Sequence, residues 1–570
     1  MLPFLNNLLN KTKWQVIFLA GVICILYFRS LSYEFIGLDE QSLLQEKKNF
    51  NKELSNIPKA FTQHVFQTEN YVEAPGTTRY YRPLLTVSFI LDSQFSGEKF
   101  SFFHFSNILY HFIAVIGLLL VLLQVTNSPP LAFLFSLLFA VHPLLTQAIG
   151  WIPGRNDSLV SLFVLWSFYF LIKAGSPVST KAIRQGEKER TKKTFLHILF
   201  FTFALFTKEN ALMFSFICIY YILLMKRNNF SLKNKILLIA TYAGVSILWY
   251  LMRKHAVDDA SILKNVALSG GEGWGTALYY SFLKNFPLLL QYFQKTILPV
   301  NLAVMASVQD TNYGWVMAAL LLFGAGIYFT KQIPWTEIGF GLLWFFLFLL
   351  PTLLFSYFEG MEHRSYLSAA GILISISFLE PVRSLTKNKN RLLGIFGTII
   401  LIFTVITFMR LPVFSSEYNY WKNAAETSEY SAVVCRDYGV ILTKMGDFQN
   451  AEKAYLEGIK RNPKETLLHY DLGVMYYKMQ RYEEAKKQLV QELNINSTNF
   501  MVYHVLGVIY KQQMRGEEAA MMWEQAVAIN PKFQESYKEL ISYYAQKKDT
   551  ANFIRCKNAL EKGGMKIVRK

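Results

Sequence analysis

Residues 14–40 read WQVIFLAGVICILYFRSLSYEFIGLDE, and the fold class follows from the way this stretch changes character. Trp14 to Leu31 is an apolar run close to the roughly 20 residues that cross a hydrocarbon layer. Within ten residues of its end, Gly37-Leu38-Asp39-Glu40 sets two adjacent carboxylates at the water boundary. Carboxylates there are costly to desolvate, so the pair suits a general base or a cation ligand. The alternative is that they open a wet loop and do no chemistry.

Composition extends the membrane reading to most of the chain. Of 570 residues, 52% are hydrophobic and only 17% charged, too apolar for an ordinary soluble protein. The net charge of +18 would suggest nucleic acid in a soluble chain, but much of the excess lies in short loops between apolar runs. That is the positive-inside pattern, and it argues against a nucleic-acid partner. Cys24, Cys218, Cys435 and Cys556 lie far apart without metal-ligand spacing, and are expected to be packing residues. Lys11 and Lys13 precede a long run with no small-residue cleavage site, which reads as an uncleaved anchor.

Eleven apolar runs are candidate spans: 14–31, 102–124, 131–149, 157–174, 194–207, 210–226, 234–252, 314–331, 337–357, 366–384 and 391–410. A further stretch, 278–298, carries Lys284, Gln291, Gln294, Lys295 and a mid-run Pro287, and reads as an interfacial or re-entrant helix. With eleven spans and an internal N-terminus, the basic loops at 173–193, 226–235 and 383–391 are cytoplasmic. Everything after residue 410 is then outside. The same count gathers Asp39, Glu40, Arg82, His142, Arg155, Asp157, Lys208, Glu209, Glu362, His363 and Arg364 at the external ends of spans.

The C-terminal part is periodic. Gly439, Gly473 and Gly507 are 34 residues apart, as are Ala451, Ala485 and Ala519, and Pro463, Ser497 and Pro531. Small residues at this period let paired helices pack closely, the signature of tetratricopeptide repeats. A fourth unit keeps Leu540 and Tyr544 in register but has Phe553 where Ala is expected, and reads as a cap. The expected organisation is all-α. A polytopic membrane bundle (1–410) leads through a linker (411–431) to a solenoid (432–565). The repeats suit a bound peptide or protein, or a passive spacer.

The other motifs carry two readings each. Arg82, beside Pro83, suits a bidentate phosphate contact or headgroup snorkelling. His142 closes the third span. Trp151-Ile152-Pro153-Gly154-Arg155-Asn156-Asp157 then makes a tight turn, in which Arg155 and Asp157 meet a charged ligand or Asp157 caps the next helix. Lys208 and Glu209, between two apolar runs, pair with each other or face a polar cavity. Glu362-His363-Arg364 holds a phosphate or anchors its helix. The chain has no nucleotide-binding glycine loop and no zinc-type spacing, which fits a donor arriving through the membrane.

The motif order is Asp39-Glu40, Tyr81-Arg82-Pro83-Leu84, Phe103-His104 with Asn107 and His111, His142-Pro143 with Gly154-Arg155-Asn156-Asp157, Lys208-Glu209-Asn210-Ala211, Pro299-Val300-Asn301-Leu302, Glu362-His363-Arg364-Ser365-Tyr366-Leu367, then the repeats. This resembles the transmembrane and tetratricopeptide repeat-containing family of O-mannosyltransferase-like proteins, within the GT-C glycosyltransferases. The resemblance implies an enzyme moving a sugar, mannose by preference, from a polyprenyl-phosphate carrier to an acceptor hydroxyl of a protein, with inversion, on the external face. It implies Asp39 as general base and Glu40 beside it for acceptor or cation binding. Arg82 and Arg364 would take the lipid phosphate, and His142, Arg155, Asp157, Lys208, Glu209, Glu362 and His363 would shape the site. The metal requirement stays open, a divalent cation being compatible, and no other cofactor is implied. The family's early pair is commonly two aspartates, so Glu40 is a departure. Readings from other classes are a noncatalytic membrane scaffold or receptor built on the repeats, and a lipid or solute transporter. Abundant Lys and Asn and the absence of disulfide pairing favour a bacterial inner membrane with periplasmic repeats. The eukaryotic equivalent is the endoplasmic reticulum with luminal repeats.

Overall fold

The computed structural model describes residues 7–67, 80–97, 99–176, 183–226, 229–257, 274–354 and 359–562. Arg79, Lys181 and the ends of the 337–357 run and of the last repeat lie outside the described residues. The chain divides into two compact units, residues 1–423 and 424–570.

The first unit is helical. Its principal helices are α1 (Thr12–Tyr27), α2 (Pro83–Ser96), α3 (Ser101–Thr126), α4 (Pro129–Ala140), α5 (Arg155–Ala174), α6 (Ile183–Thr207), α7 (Leu212–Tyr220) and α8 (Leu232–Ala256). After these come α9 (Trp274–Ile297), α10 (Tyr313–Tyr328), α11 (Trp335–Leu354), α12 (Tyr366–Ser377), α13 (Lys389–Arg410) and α14 (Glu417–Thr427). Local chemistry sets their ends. Asn127 takes the left-handed conformation after α3, Pro129 opens α4, and the Asn312 and Asn388 side chains cap α10 and α13. Between α11 and α12 the backbones nearly touch: a Cβ on Gly341 would lie 2.3 Å from the Gly371 carbonyl oxygen. Small residues permit this approach, and the Trp344 indole donates to the Leu367 carbonyl at 2.9 Å across it.

All eleven apolar runs are helical where described, but they do not all span as single rods. Among the described residues, six helices are long and apolar enough to cross a membrane, or eight if each of two bent pairs is one span. The bends are 48° between Pro129–Ala140 and Pro143–Gly150, and 68° between Glu362–Ser377 and Glu380–Lys387. The remaining three runs are 194–207, the apolar half of α6, and the short helices Glu209–Met225 and Tyr313–Tyr328.

Helix α9 runs unbroken through Pro287, which costs it one backbone hydrogen bond. Of the polar residues that suggested an interfacial helix, Lys284 is exposed while Gln291, Gln294 and Lys295 point inward. Gln291 donates to the Ser307 carbonyl (2.9 Å) and Thr311 hydroxyl (2.8 Å), and Gln294 and Lys295 are buried. Tyr279, Tyr280, Leu283 and Phe286 face out. A two-residue antiparallel ribbon, Ala306–Ser307 against Glu359–Gly360, holds the loop after α9 to the loop before α12.

The segment read as a linker is largely helical: Leu411–Phe414 forms a short 3-10 turn, α14 follows, and the unit boundary falls within α14.

The second unit is four helix pairs, α15 (Ala432–Met445) with α16 (Phe448–Arg461), α17 (Leu468–Lys478) with α18 (Tyr482–Ile495), α19 (Phe500–Gln512) with α20 (Gly516–Ile529), and α21 (Gln534–Lys547) with α22 (Thr550–Lys562). The period-34 glycines sit in the first helix of a pair and the alanines in the second. Ala451, Ala485 and Ala519 are fully buried.

Candidate active site

Asp39 hangs from a loop that most sequences would resist. Gly37 has φ +83° and Leu38 φ +52°, two successive left-handed residues. The positive φ at Gly37 favours glycine, while a Cβ there would meet only the movable end of the Glu417 side chain, 2.8 Å from Oε1. The turn leaves Asp39 solvent-exposed and Glu40 fully buried. Neighbouring carboxylates thus face opposite environments.

The second part of the site is the turn before α5. Gly154 allows the chain to double back: a Cβ there would lie 2.7 Å from the Gln147 carbonyl oxygen. Asp157, in the first turn of α5, is buried and receives Lys208 Nζ at 2.7 Å on both carboxylate oxygens. Lys208 Nζ also donates to Asn156 Oδ1 at 3.0 Å. His363 Nε2 lies 3.9 Å from Asp157 Oδ2, and the His363 ring packs at 5.3 Å on Trp151. Asp157, Lys208 and His363 form a buried floor.

Above this floor sit groups that are less buried. Arg82 and Arg364 are half-buried, and their positive charges act on both Asp39 and Asp157. Arg82 is also committed to Glu209, with Nε to Oε2 at 3.0 Å and Nη2 to Oε1 at 2.5 Å, and its guanidinium stacks 4.1 Å from the Tyr80 ring centroid. Desolvation by the surrounding protein raises the Asp39 carboxyl above its ordinary range, with Arg82 and Arg364 pulling the other way. A raised carboxylate that water still reaches is a better base near neutral pH than a free one. Burial likewise holds Glu40 up at about 8, against its two backbone hydrogen bonds.

The structure therefore brings Asp39, Arg82, Asp157, Lys208, Glu209, His363 and Arg364 into one electrostatic neighbourhood. Lys208 and Glu209 do not pair with each other, as one sequence reading had it; they reach Asp157 and Arg82 respectively. The remaining candidates belong to separate networks. His142 Nε2 meets the Thr296 carbonyl at 3.0 Å, with the ring edge-on to Phe403. Glu362 is fully buried between Lys295 (3.1 Å) and Arg410 (2.6 Å), and accepts from the Ala303 amide at 2.8 Å. Arg155, fully buried, donates to Asp92 (2.5 Å), Asn107 (2.9 Å) and the Phe103 carbonyl (2.7 Å), beneath Phe89. It ties α2, α3 and α5 together, its guanidinium engaged by protein groups on those helices.

Sequence reading passed over Asp92 and Arg410, and took Lys295 only as a mark of an interfacial helix. Lys295 lies in an otherwise largely apolar helix and Arg410 ends one, so the cost of unpaired charge there was a usable signal. Asn107, part of the quoted motif order, also proves to be a joint. Its amide donates to the carbonyls of Ile149, Trp151 and Ile152 at 3.0–3.3 Å. Among the described residues no group of three or more His, Cys, Asp and Glu side chains is arranged to hold a metal ion.

A tetratricopeptide-repeat family profile matches residues 437–465. The chain is 29% identical over 224 residues to human protein O-mannosyl-transferase TMTC1, an alignment covering 38% of this chain and 24% of that protein. To a Caenorhabditis elegans protein O-mannosyl-transferase it is 23% identical over 466 residues, covering 79% of this chain and 63% of the relative. The chain is thus similar to proteins named TMTC protein O-mannosyl-transferases, and it carries a tetratricopeptide repeat as well. The six to eight apolar helices found among the described residues are those of a multi-pass membrane protein. The alignments span less than two thirds of these curated relatives. Among solved structures, MamA from Desulfovibrio magneticus RS-1 is similar over 26% of this chain and 86% of its own, at 20% identity and a TM-score of 0.24.

Proposed function

We propose that the protein is a membrane glycosyltransferase that moves a sugar, mannose by preference, from a polyprenyl-phosphate donor to a Ser or Thr hydroxyl of a protein acceptor. The reaction takes place on the non-cytoplasmic face, in a bacterial inner membrane with periplasmic repeats. The observation that carries this reading is an exposed Asp39 under the charges of Arg82 and Arg364, above a buried Asp157–Lys208–His363 floor. The relatives named protein O-mannosyl-transferases supply the sugar and the acceptor class.

The Asp39 carboxylate takes the acceptor proton as the hydroxyl oxygen attacks the anomeric carbon from the face opposite the phosphate. The bond from that carbon to the phosphate oxygen breaks, and the polyprenyl phosphate departs with the electron pair. The configuration inverts. General-base help of this kind contributes about 10²- to 10⁴-fold. Arg82 and Arg364 are assigned the charge that develops on the leaving phosphate, which preorganised cations stabilise at little reorganisation cost. The repeats are assigned the acceptor.

The test is transfer of label from polyprenyl-phosphate mannose to Ser/Thr-containing peptides by the full-length protein in nanodiscs. Wild type is expected to transfer and Asp39→Asn to lose about 10²-fold or more. Equal rates in the two would remove Asp39 as the base, and no transfer to any acceptor by wild type would remove the enzyme reading.

A further inference from the structure

Beside the exposed Asp39, Glu40 has no surface to offer a substrate. Its side chain is fully buried and both carboxylate oxygens meet backbone amides. Ile36 N donates to Oε2 at 2.7 Å and Ile152 N to Oε1 at 3.4 Å. The first bond closes the Ile36–Glu40 loop on itself, around the two left-handed residues Gly37 and Leu38. The second crosses 112 residues to the turn that starts α5 and carries Asp157.

That turn is itself pinned. Asn107 holds the carbonyls of Ile149, Trp151 and Ile152, Arg155 holds Asn107, and Asp92 holds Arg155, all of them buried. Glu40 therefore connects a loop with two left-handed residues to a segment of the site fixed by several buried hydrogen bonds. A non-glycine residue in the left-handed region costs of order 1 kcal/mol and persists only where the surroundings hold it.

We infer that Glu40 is a positioning residue. Its carboxylate sets Asp39 against the Asp157–Lys208 pair by bracketing the Asp39 loop between the Ile36 and Ile152 amides, and it contacts neither acceptor nor cation. This rests on the glycosyl-transfer reading for its kinetic consequence but not for its structural one. A misplacement of about 1 Å at a reacting group costs about 100-fold in rate, so the effect appears in kcat.

The experiment compares full-length wild type, Glu40→Gln and Glu40→Asp in nanodiscs by hydrogen exchange and by steady-state transfer kinetics. Gln keeps the length but only one acceptor oxygen, while Asp keeps the carboxyl group but falls one methylene short of spanning both amides. In both variants, exchange of the peptides containing Ile36 and Ile152 is expected to speed by about tenfold, the loss of one buried hydrogen bond. kcat is expected to fall about 100-fold with KM for donor and acceptor within about threefold of wild type. Unchanged exchange at Ile36 and Ile152 overturns the brace whether or not transfer is observed. A raised KM at unchanged kcat makes Glu40 a binding residue, and full wild-type kcat in Glu40→Asp makes the carboxyl group, without its reach to both amides, the requirement. Either result overturns the inference. A wild type that transfers nothing overturns the function alone, because the exchange readout stands without it.

Discussion

Arg82 grips Glu209 across 127 residues of chain through two parallel hydrogen bonds, a fork that only a guanidinium can offer a carboxylate. It ties the residue before α2 to the loop after α6, so the walls of the site are joined by the cation assigned to the phosphate. Burial raises the Glu209 carboxyl, and the Arg82 charge and hydrogen bonds more than offset this, leaving it at about 2. A carboxylate depressed in the native state contributes stability that is complete above its ordinary value of 4.5 and is lost as pH falls toward about 2. Thermal unfolding of wild type and Glu209→Gln should therefore differ at pH 7 and converge as the buffer is taken below pH 4.5. A gap that stays constant across that window would show that the pair does not hold the walls together. Arg82→Lys, which keeps the charge and loses the fork, should fall between the two.

Asp157 and Lys208 make the opposite kind of pair, closed off from water. Replacing one partner strands a buried charge, which costs about 3–5 kcal/mol, whereas removing both leaves none. Asp157→Asn should thus be strongly destabilised, and Asp157→Asn with Lys208→Met should recover most of the loss while remaining inactive. A double-mutant cycle by denaturant unfolding reads the coupling directly. Additive losses would mean that the two charges do not depend on each other.

What could be read from sequence was whatever a single segment must declare on its own. Asp39 and Lys208 were visible because charge at the end of an apolar run is expensive wherever its partner lies. The repeats were visible because Gly439, Gly473 and Gly507 face the same packing problem at a fixed interval. Partners were not visible. Lys208 and Glu209 are adjacent, yet they reach residues 51 and 127 positions away. Arg155 finds Asp92 63 positions away on another helix. Nor does apolar length reveal a bend: the 131–149 run reads as one span, and only the structure shows the 48° break near His142.

Glu40 gives a pH dependence of the other sign. Its carboxyl is raised to about 8, first by burial and further by the charges of Asp39 and Glu417. Between its ordinary value of 4.5 and about 8, the native state keeps a proton that the unfolded chain has released, so stability falls as pH rises through that window. Glu40→Gln removes this dependence. The slope of unfolding free energy against pH should flatten in the variant, with the remainder from Asp39, which is raised as well. A slope identical to wild type would mean that Glu40 is ionised in the native protein at neutral pH.

In the first three repeats, the glycine of the first helix admits a large side chain from the second, and the guests differ. A Cβ on Gly507 would lie 2.4 Å from Trp523 Nε1, whereas one on Gly473 would lie 2.9 Å from Leu489 Cγ. Trp523 is almost wholly buried and its indole donates to the His504 carbonyl at 3.2 Å, so the ring has a hydrogen bond to lose if it shifts. Leu489 can change rotamer without breaking one. Alanine in mid-helix gains about 1 kcal/mol over glycine in propensity, while overpacking costs about 1–3 kcal/mol. The two nearly cancel at Gly473, and the clash wins at Gly507. Hydrogen exchange of the α19–α20 pair in full-length protein should therefore speed markedly in Gly507→Ala, and that of the α17–α18 pair should change little in Gly473→Ala. Because each repeat packs mainly on its neighbours, the loss should spread to α21 and α22 before it reaches α15. Equal protection in the two variants would mean that the Trp523 ring moves as freely as a leucine.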